Sequence, residues 1–325
     1  MGAHLQDKDR SRERGREDEI PPEFLRFLVP SCFFVIVLCG CLIQYLRGVA
    51  GTFNRLDKCV GAHALPEPPL PRTRAAPIYA IASGKGGVGK TWLSTMLSIA
   101  FGRAGQRALL VDCDLGLANV DVQLGVRPTA DVHSVVRGFL ELESAVTPVL
   151  GGPGRNGGFD LIAGHSGSGA LGAVKLEEVG RICTGLTKLT PHYDRVILDL
   201  SAGIDPTVLR FARAADRLVL VTTDEPTALT DAYAMVKLLR LQGSQMVPWV
   251  IVNMAESRVK GRKVFDQFSM ACNEYLGFKP RFAGVVCRDT RVPDSIRAQT
   301  PLPIRHPQSQ AYEDVIRIVE TLNAG

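Results

Sequence analysis

An α/β fold built on a doubly wound, mainly parallel sheet is predicted for residues 77–325 by three features of this 325-residue sequence. From Pro77 onward, short apolar runs alternate with stretches of helical periodicity, the order expected of strands joined by crossover helices. A glycine-rich segment, 84–89, separates the first apolar run from the first helical stretch. Two apolar runs close on aspartate, Asp112 and Asp199. In open α/β sheets the carboxyl ends of the strands are where ligands bind.

The first strand is Ile78-Tyr79-Ala80-Ile81-Ala82, an apolar run short enough to be a buried strand. Residues 84–91 then fit G-x-x-x-x-G-K-[ST], and 92–100 read as a helix. Strand, glycine loop and helix are the context in which this pattern is a phosphate-cradling P-loop. Its main-chain N–H groups and the helix N-terminus point at a polyphosphate. Gly84, Gly86, Gly87 and Gly89, with Lys85 and Val88 between them, let the backbone approach without an intervening Cβ. Lys90 supplies charge to the outer phosphates, and the Thr91 hydroxyl is suited to ligate Mg²⁺.

The second strand, 108–111, leads into Asp112-Cys113-Asp114. Carboxylates leaving a buried strand beside a phosphate loop suit water-mediated Mg²⁺ binding and water orientation. The alternative is a pair of turn or helix-capping aspartates. Strands follow at 160–163 and 195–198. The latter ends at Asp199, placed like a Walker B carboxylate that meets Mg²⁺ through water, with Gly203 behind it as a γ-phosphate switch. The strand 218–222 runs into Glu225-Pro226-Thr227, where Pro226 suits a helix start and Thr227 or Thr230 could cap the helix 227–241. Strand 249–252 places Asn253 at its end. An amide there can donate to and accept from a purine edge, or serve a turn. Helix 263–276 and strand 283–286 complete the sheet. No N-K-x-D guanine signature is visible, so the base expected is adenine.

The run Lys85-Gly86-Gly87-Val88-Gly89-Lys90-Thr91 resembles the deviant P-loop of the MinD/ParA (SIMIBI) family. There the early lysine reaches across a dimer to the partner's nucleotide. The stretch 112–121 matches that family's D-x-D-x-G-x-A-N pattern. Residues 222–234 resemble the T-T-P-E-P-T-S-x-T-D-A-Y-A signature of its FlhG group, the ATPases of flagellar placement and number. The resemblance covers about residues 77–322. It implies an ATP-binding, Mg²⁺-dependent switch that dimerises with ATP and hydrolyses it weakly, stimulated by partners. It casts Lys85, Lys90 and Asp114 as the catalytic set, with Asp114 orienting the attacking water. Thr91, Asp112 and Asp199 attend the metal. Residues 84–91, Asn253 and Arg288 bind the nucleotide, Arg288 in a loop (287–292) that closes over the base. Two departures are Ser201, where the family has Pro or Gly, and Asp224, where it has Pro.

Other implied partners are an FlhF-like GTPase and flagellar switch or regulator proteins. The D-Q-A-x-x-L-R element that stimulates such a GTPase in that group has no counterpart in residues 1–76. The competing reading is a ParA-type ATPase for DNA or cargo segregation, with 258–263 (Arg-Val-Lys-Gly-Arg-Lys) on DNA phosphates. That cluster is more often a solvated helix start, and the 222–234 block favours the flagellar group. A relative of the nitrogenase iron protein would need cluster cysteines near 199–204, and none is there.

The net charge of +5, with 22% charged residues, is compatible with nucleic acid without arguing for it. The eight cysteines, Cys32, Cys39, Cys41, Cys59, Cys113, Cys183, Cys272 and Cys287, have no zinc-ligand context and read as reduced thiols. Residues 1–24 are charged and mixed in sign, and read as disordered. Within 25–47, the segment 27–46 holds no charge over 20 positions, about the length of a membrane-spanning helix. Arg47, Arg55 and Lys58 after it favour a cytosolic location for the chain on its C-terminal side. The segment reads either as an anchor to the inner membrane or as sequence upstream of a misassigned start; its long mixed leader argues against a signal peptide. Residues 48–76 are a proline-rich linker. The ATPase domain is expected in the cytoplasm. The closing stripe of Tyr312, Val315, Ile316, Val319 and Leu322 backs onto an acidic face, so this helix is expected to pack on the domain and not on a membrane.

Overall fold

The computed structural model describes residues 76–116, 118–164 and 176–325. The expectations for 1–24, 25–47 and 48–75 lie outside these residues. Eight strands form one sheet: β1 (Ile78–Ser83), β2 (Ala108–Cys113), β3 (Thr147–Val149), β4 (Phe159–Ile162), β5 (Arg195–Ala202), β6 (Arg217–Thr222), β7 (Trp249–Ala255) and β8 (Arg281–Cys287). Their order is β3-β4-β2-β5-β1-β6-β7-β8. All neighbours run parallel except β3, which is antiparallel to β4. All seven apolar runs read as strands are strands. The sequence reading missed β3. It is three residues long with Pro148 at its centre, and proline is confined to edge strands because it cannot donate to a ladder.

The helices are α1 (Lys90–Arg103), α2 (Val120–Leu124), α3 (Val132–Val136), α4 (Leu176–Leu189), α5 (Pro206–Ala214), α6 (Pro226–Leu241), α7 (Arg258–Leu276), α8 (Arg291–Arg297), α9 (Leu302–Arg305) and α10 (Gln310–Ala324). They cover both faces of the sheet, and strand periodicity shows why. Alternate residues of β1 point to opposite faces. Ile78 and Ala80 join a core with Phe211 of α5, Met235 of α6 and Phe268 of α7. Tyr79 and Ile81 join a second core with Leu93 and Leu97 of α1 and Val315 of α10. A strand buried on both faces must be apolar throughout, which is why these strands appear as continuous runs.

The helix ends carry the expected chemistry with two corrections. Pro226 opens α6 at its first turn, but Glu225 is the N-cap residue. Neither Thr227 nor Thr230 caps: Thr230 Oγ1 donates back to the Pro226 carbonyl at 2.9 Å, and Thr227 accepts from Lys85. Helix α7 begins at Arg258, earlier than its apolar periodicity, because Ser257 caps it by accepting from the Lys260 N–H. In α10 the buried stripe is Tyr312, Val315, Ile318, Val319 and Leu322, while Ile316 is 39% exposed. Ile316 sits a turn from Tyr312, but at the flank of the stripe defined by Val315 and Ile318. As expected, this helix packs on the domain, against β8 and α1. No helix among the described residues is long and apolar enough to cross a membrane.

Candidate nucleotide and metal site

The loop 84–89 leaves β1 at the middle of the sheet, between β5 and β6. Two of its glycines are there for close approach. A Cβ on Gly84 would overlap the main chain of Asp231 in α6. Gly89 has φ +85, and a Cβ there would stand 2.5 Å from the Asn253 amide nitrogen. The loop is thereby held between α6 and the end of β7, and α1 starts directly after it at Lys90. Gly87 also has positive φ, so its peptide adopts a turn that L side chains disfavour.

Behind the loop sits a buried charged cluster. Lys90 is 8% exposed, and Asp112 and Asp199 are each 1% exposed. The two aspartates face each other across the β2–β5 ladder. Burial lowers the Lys90 pKa, opposed by the neighbouring Asp199, Asp114 and Asp112 carboxylates. Burial raises that of Asp199, opposed by the Thr91 hydroxyl, the Lys90 charge and the Ser94 hydroxyl. Burial also raises Asp112, reinforced by Asp199 beside it. Asp199 Oδ1 accepts from Ser94 Oγ at 2.9 Å, whereas the buried Oδ2 has no hydrogen-bond partner. An orphaned, buried carboxylate oxygen beside the Thr91 hydroxyl is the donor chemistry of a hard divalent cation that keeps its waters. These residues therefore fit Mg²⁺. Among the described residues there is no group of three or more His, Cys, Asp or Glu able to hold a metal by themselves. A cation here would depend on substrate phosphates for further ligands.

The other expected residues divide. Asp112 is chiefly a cap: Oδ1 accepts from the Asp114 N–H at 3.0 Å, and Oδ2 from the N–H groups of Asn119 and Val120, at 3.2 and 3.3 Å, at the start of α2. A carboxylate has about four acceptor positions, so these bonds leave room for one water-mediated contact. Asp114 stands at the open carboxyl end of β2, its Oδ1 accepting from Ser201 Oγ at 3.1 Å. Lys85 is paired within its own chain, to Glu225 and, at 2.9 Å, to Thr227 Oγ1. The resemblance gave it a role only across a dimer, and the structure supplies partners within the chain. Asn253, 2% exposed, donates its amide to the Val88 carbonyl at 2.8 Å. Its observed partner is thus the phosphate loop. Arg288 has an exposed side chain, and its N–H donates to the Ala255 carbonyl at 2.8 Å. The turn after it is tied down by Asp289, which accepts from the Arg291 N–H and from Ser309 Oγ.

Sequence reasoning missed Ser94, Ser201, Glu225 and Thr227 as site neighbours. Ser94 lies one helical turn beyond Lys90, on the face that looks at β5, and Ser201 was visible only as a departure in the run after Asp199.

Residues 79–302 match the CobQ/CobB/MinD/ParA nucleotide binding domain. The chain belongs to the MinD/ParA family. Within that family it is 34% identical over 234 residues to the antiactivator FleN of Pseudomonas aeruginosa, covering 72% of this chain and 81% of FleN. It is 30% identical over 208 residues to the flagellum site-determining protein YlxH of Helicobacter pylori, covering 64% and 68% of the two chains. The MinD/ParA fold is also seen in solved structures. The septum site-determining protein MinD of Pyrococcus horikoshii, complexed with Mg-ADP, superposes with a TM-score of 0.61 at 24% identity, over 77% of this chain and 96% of that one. The MinD cell division protein of Aquifex aeolicus gives 0.62 at 23% identity, over 77% and 98%. The four described cysteines, Cys113, Cys183, Cys272 and Cys287, are free and buried, in keeping with reduced thiols.

Proposed function

We propose that this protein is an ATP-driven dimerising switch that regulates the number or placement of flagella. The observation that carries the nucleotide part is the phosphate loop backed by Asp199, whose unpaired Oδ2 lies beside Thr91 and Lys90. The flagellar part rests on the likeness to FleN and YlxH and on the residues 222–234.

In this reading the loop N–H groups and Lys90 bind the β- and γ-phosphates. Thr91 would hold Mg²⁺, with Asp199 and Asp112 contributing through its waters. The cation neutralises charge that develops on the transferred phosphoryl group. Asp114, at the rim, orients the attacking water. Hydrolysis is slow by itself and is stimulated by partners. Lys85 leaves Glu225 and Thr227 to reach the second subunit's nucleotide when two ATP-bound chains meet. The γ-phosphate thereby makes contacts that differ between the two states, which is what a switch requires.

Two variants test this. Lys90→Ala removes the main cation for the outer phosphates and should abolish binding of a fluorescent ATP analogue; full affinity would sink the assignment. In the native host, the same variant should fail to restore normal flagellar number to a deletion strain, counted by electron microscopy. Asp114→Ala should retain ATP and slow its hydrolysis, so that light scattering finds a dimer with ATP and a monomer with ADP. A strict monomer at high protein concentration with ATP would overturn the dimer. The DNA reading draws little support from 258–263. Arg258 pairs with Asp314, Lys260 with Glu256 and Arg262 with Asp266, so most of that charge is neutralised locally.

A further inference from the structure

The end of β5 carries a side chain that the nucleotide chemistry leaves unused. Ser201 donates its hydroxyl to Asp114 Oδ1 at 3.1 Å, across 87 residues of sequence. The pair meets because β2 and β5 are neighbours in parallel register, with Asp112 opposite Asp199 and Cys113 opposite Leu200. Both side chains are half-buried at the open end of the sheet. The same short segment also touches the phosphate loop. Gly203, with φ +104, donates its N–H to the Ser83 carbonyl at 2.9 Å. A Cβ on Gly86 would lie 3.8 Å from that of Ala202. Residues 201–203 therefore contact Asp114 on one side and the phosphate loop on the other.

We propose that Ser201 is a positioning residue for hydrolysis. Its hydroxyl ties the Asp114 carboxylate to the segment that carries Gly203, so the orientation of Asp114 tracks the position of that segment. This rests on the reading of Asp114 as the group that orients the attacking water. An aspartate at a strand end can rotate about its side-chain torsions, and one directional hydrogen bond selects among the rotamers. Orientation of the attacking group is worth large factors in rate, whereas ground-state ATP binding runs through other residues. Proline or glycine, which the resembled pattern has at this position, offers no side-chain donor. The tie to Asp114 is therefore a property of this sequence.

The test is ATP hydrolysis by the full chain at saturating radiolabelled ATP, so that both chains of a dimer are loaded, beside equilibrium ATP binding and thermal unfolding. Ser201→Ala should slow hydrolysis by about three- to tenfold, the effect of one ordinary hydrogen bond. ATP affinity and the unfolding midpoint should not change. Ser201→Thr, which keeps the hydroxyl, should recover the rate. In an Asp114→Ala background, Ser201→Ala should have no further effect, because the two act as one unit. A wild-type rate for Ser201→Ala overturns the proposal, as does an Ala effect that multiplies with Asp114→Ala. Equal slowing by Ala and Thr would assign the loss to packing and also overturn it. Asp114→Ala turning over at the wild-type rate would instead remove the assigned role of Asp114, and the proposal with it.

Discussion

Replacing Asp199 by asparagine should make the nucleotide-free protein more stable, by an amount that depends on pH. The carboxylate is 1% exposed, and burial raises its pKa from 3.8 to about 6 against the help of Thr91, Lys90 and Ser94. A folded-state pKa above the unfolded value means that the native protein holds the proton more tightly. The contribution of Asp199 to stability is then greatest below pH 3.8, falls as pH rises through the interval up to about 6, and levels off above it. The shift corresponds to a loss on the order of 3 kcal/mol at neutral pH. Asparagine keeps the shape and carries no charge, so this loss is absent from the variant. The stability difference between variant and wild type should therefore be small near pH 4 and grow to about 3 kcal/mol by pH 7. Urea unfolding of both proteins across that range reads it directly; groups remote from Asp199 cancel in the difference, while Asp112, whose pKa the Asp199 charge helps to raise, adds to it in the same sense. Saturating Mg-ADP should reverse the order, because the cation favours the wild-type carboxylate and not the amide. A stability difference that stays flat between pH 5 and 8 would refute the reasoning, as would an unchanged order with Mg-ADP.

Two further substitutions probe how the loop is held. Asn253→Ala removes the 2.8 Å bond to the Val88 carbonyl at a buried position; it should cost about 1–3 kcal/mol in denaturant unfolding and weaken nucleotide binding, and unchanged stability would show the bond to be idle. Gly84→Ala drives a Cβ into the main chain of Asp231, which cannot rotate away. It should destabilise by roughly 1–3 kcal/mol and reduce ATP affinity in titration calorimetry, and a neutral result would mean that the loop and α6 can separate freely.

What the sequence determined by itself is local and contiguous. The phosphate loop lies within residues 84–91, and its strand and helix adjoin it. Asp112 and Asp199 were visible because each ends an apolar run, and a run must be apolar when both faces of its strand are buried. Pro226 was legible as a helix start because its fixed φ and missing N–H suit the first turn. Tertiary structure decided what those residues touch. Asp112 could be read as metal ligand or cap, and only the fold brought the N–H groups of Asn119 and Val120 to its carboxylate. Lys85 had, from the resemblance, a role only across a dimer, and it was the fold that placed Glu225 and Thr227 beside it within one chain, 140 and 142 residues away. The Ser201–Asp114 bond depends on β2 and β5 being neighbours in one register, and a one-residue slip would turn either side chain to the opposite face. Strand order and register arise from the packing of whole helices against both faces of the sheet. No local pattern carries that information, so it becomes readable only once the chain has folded.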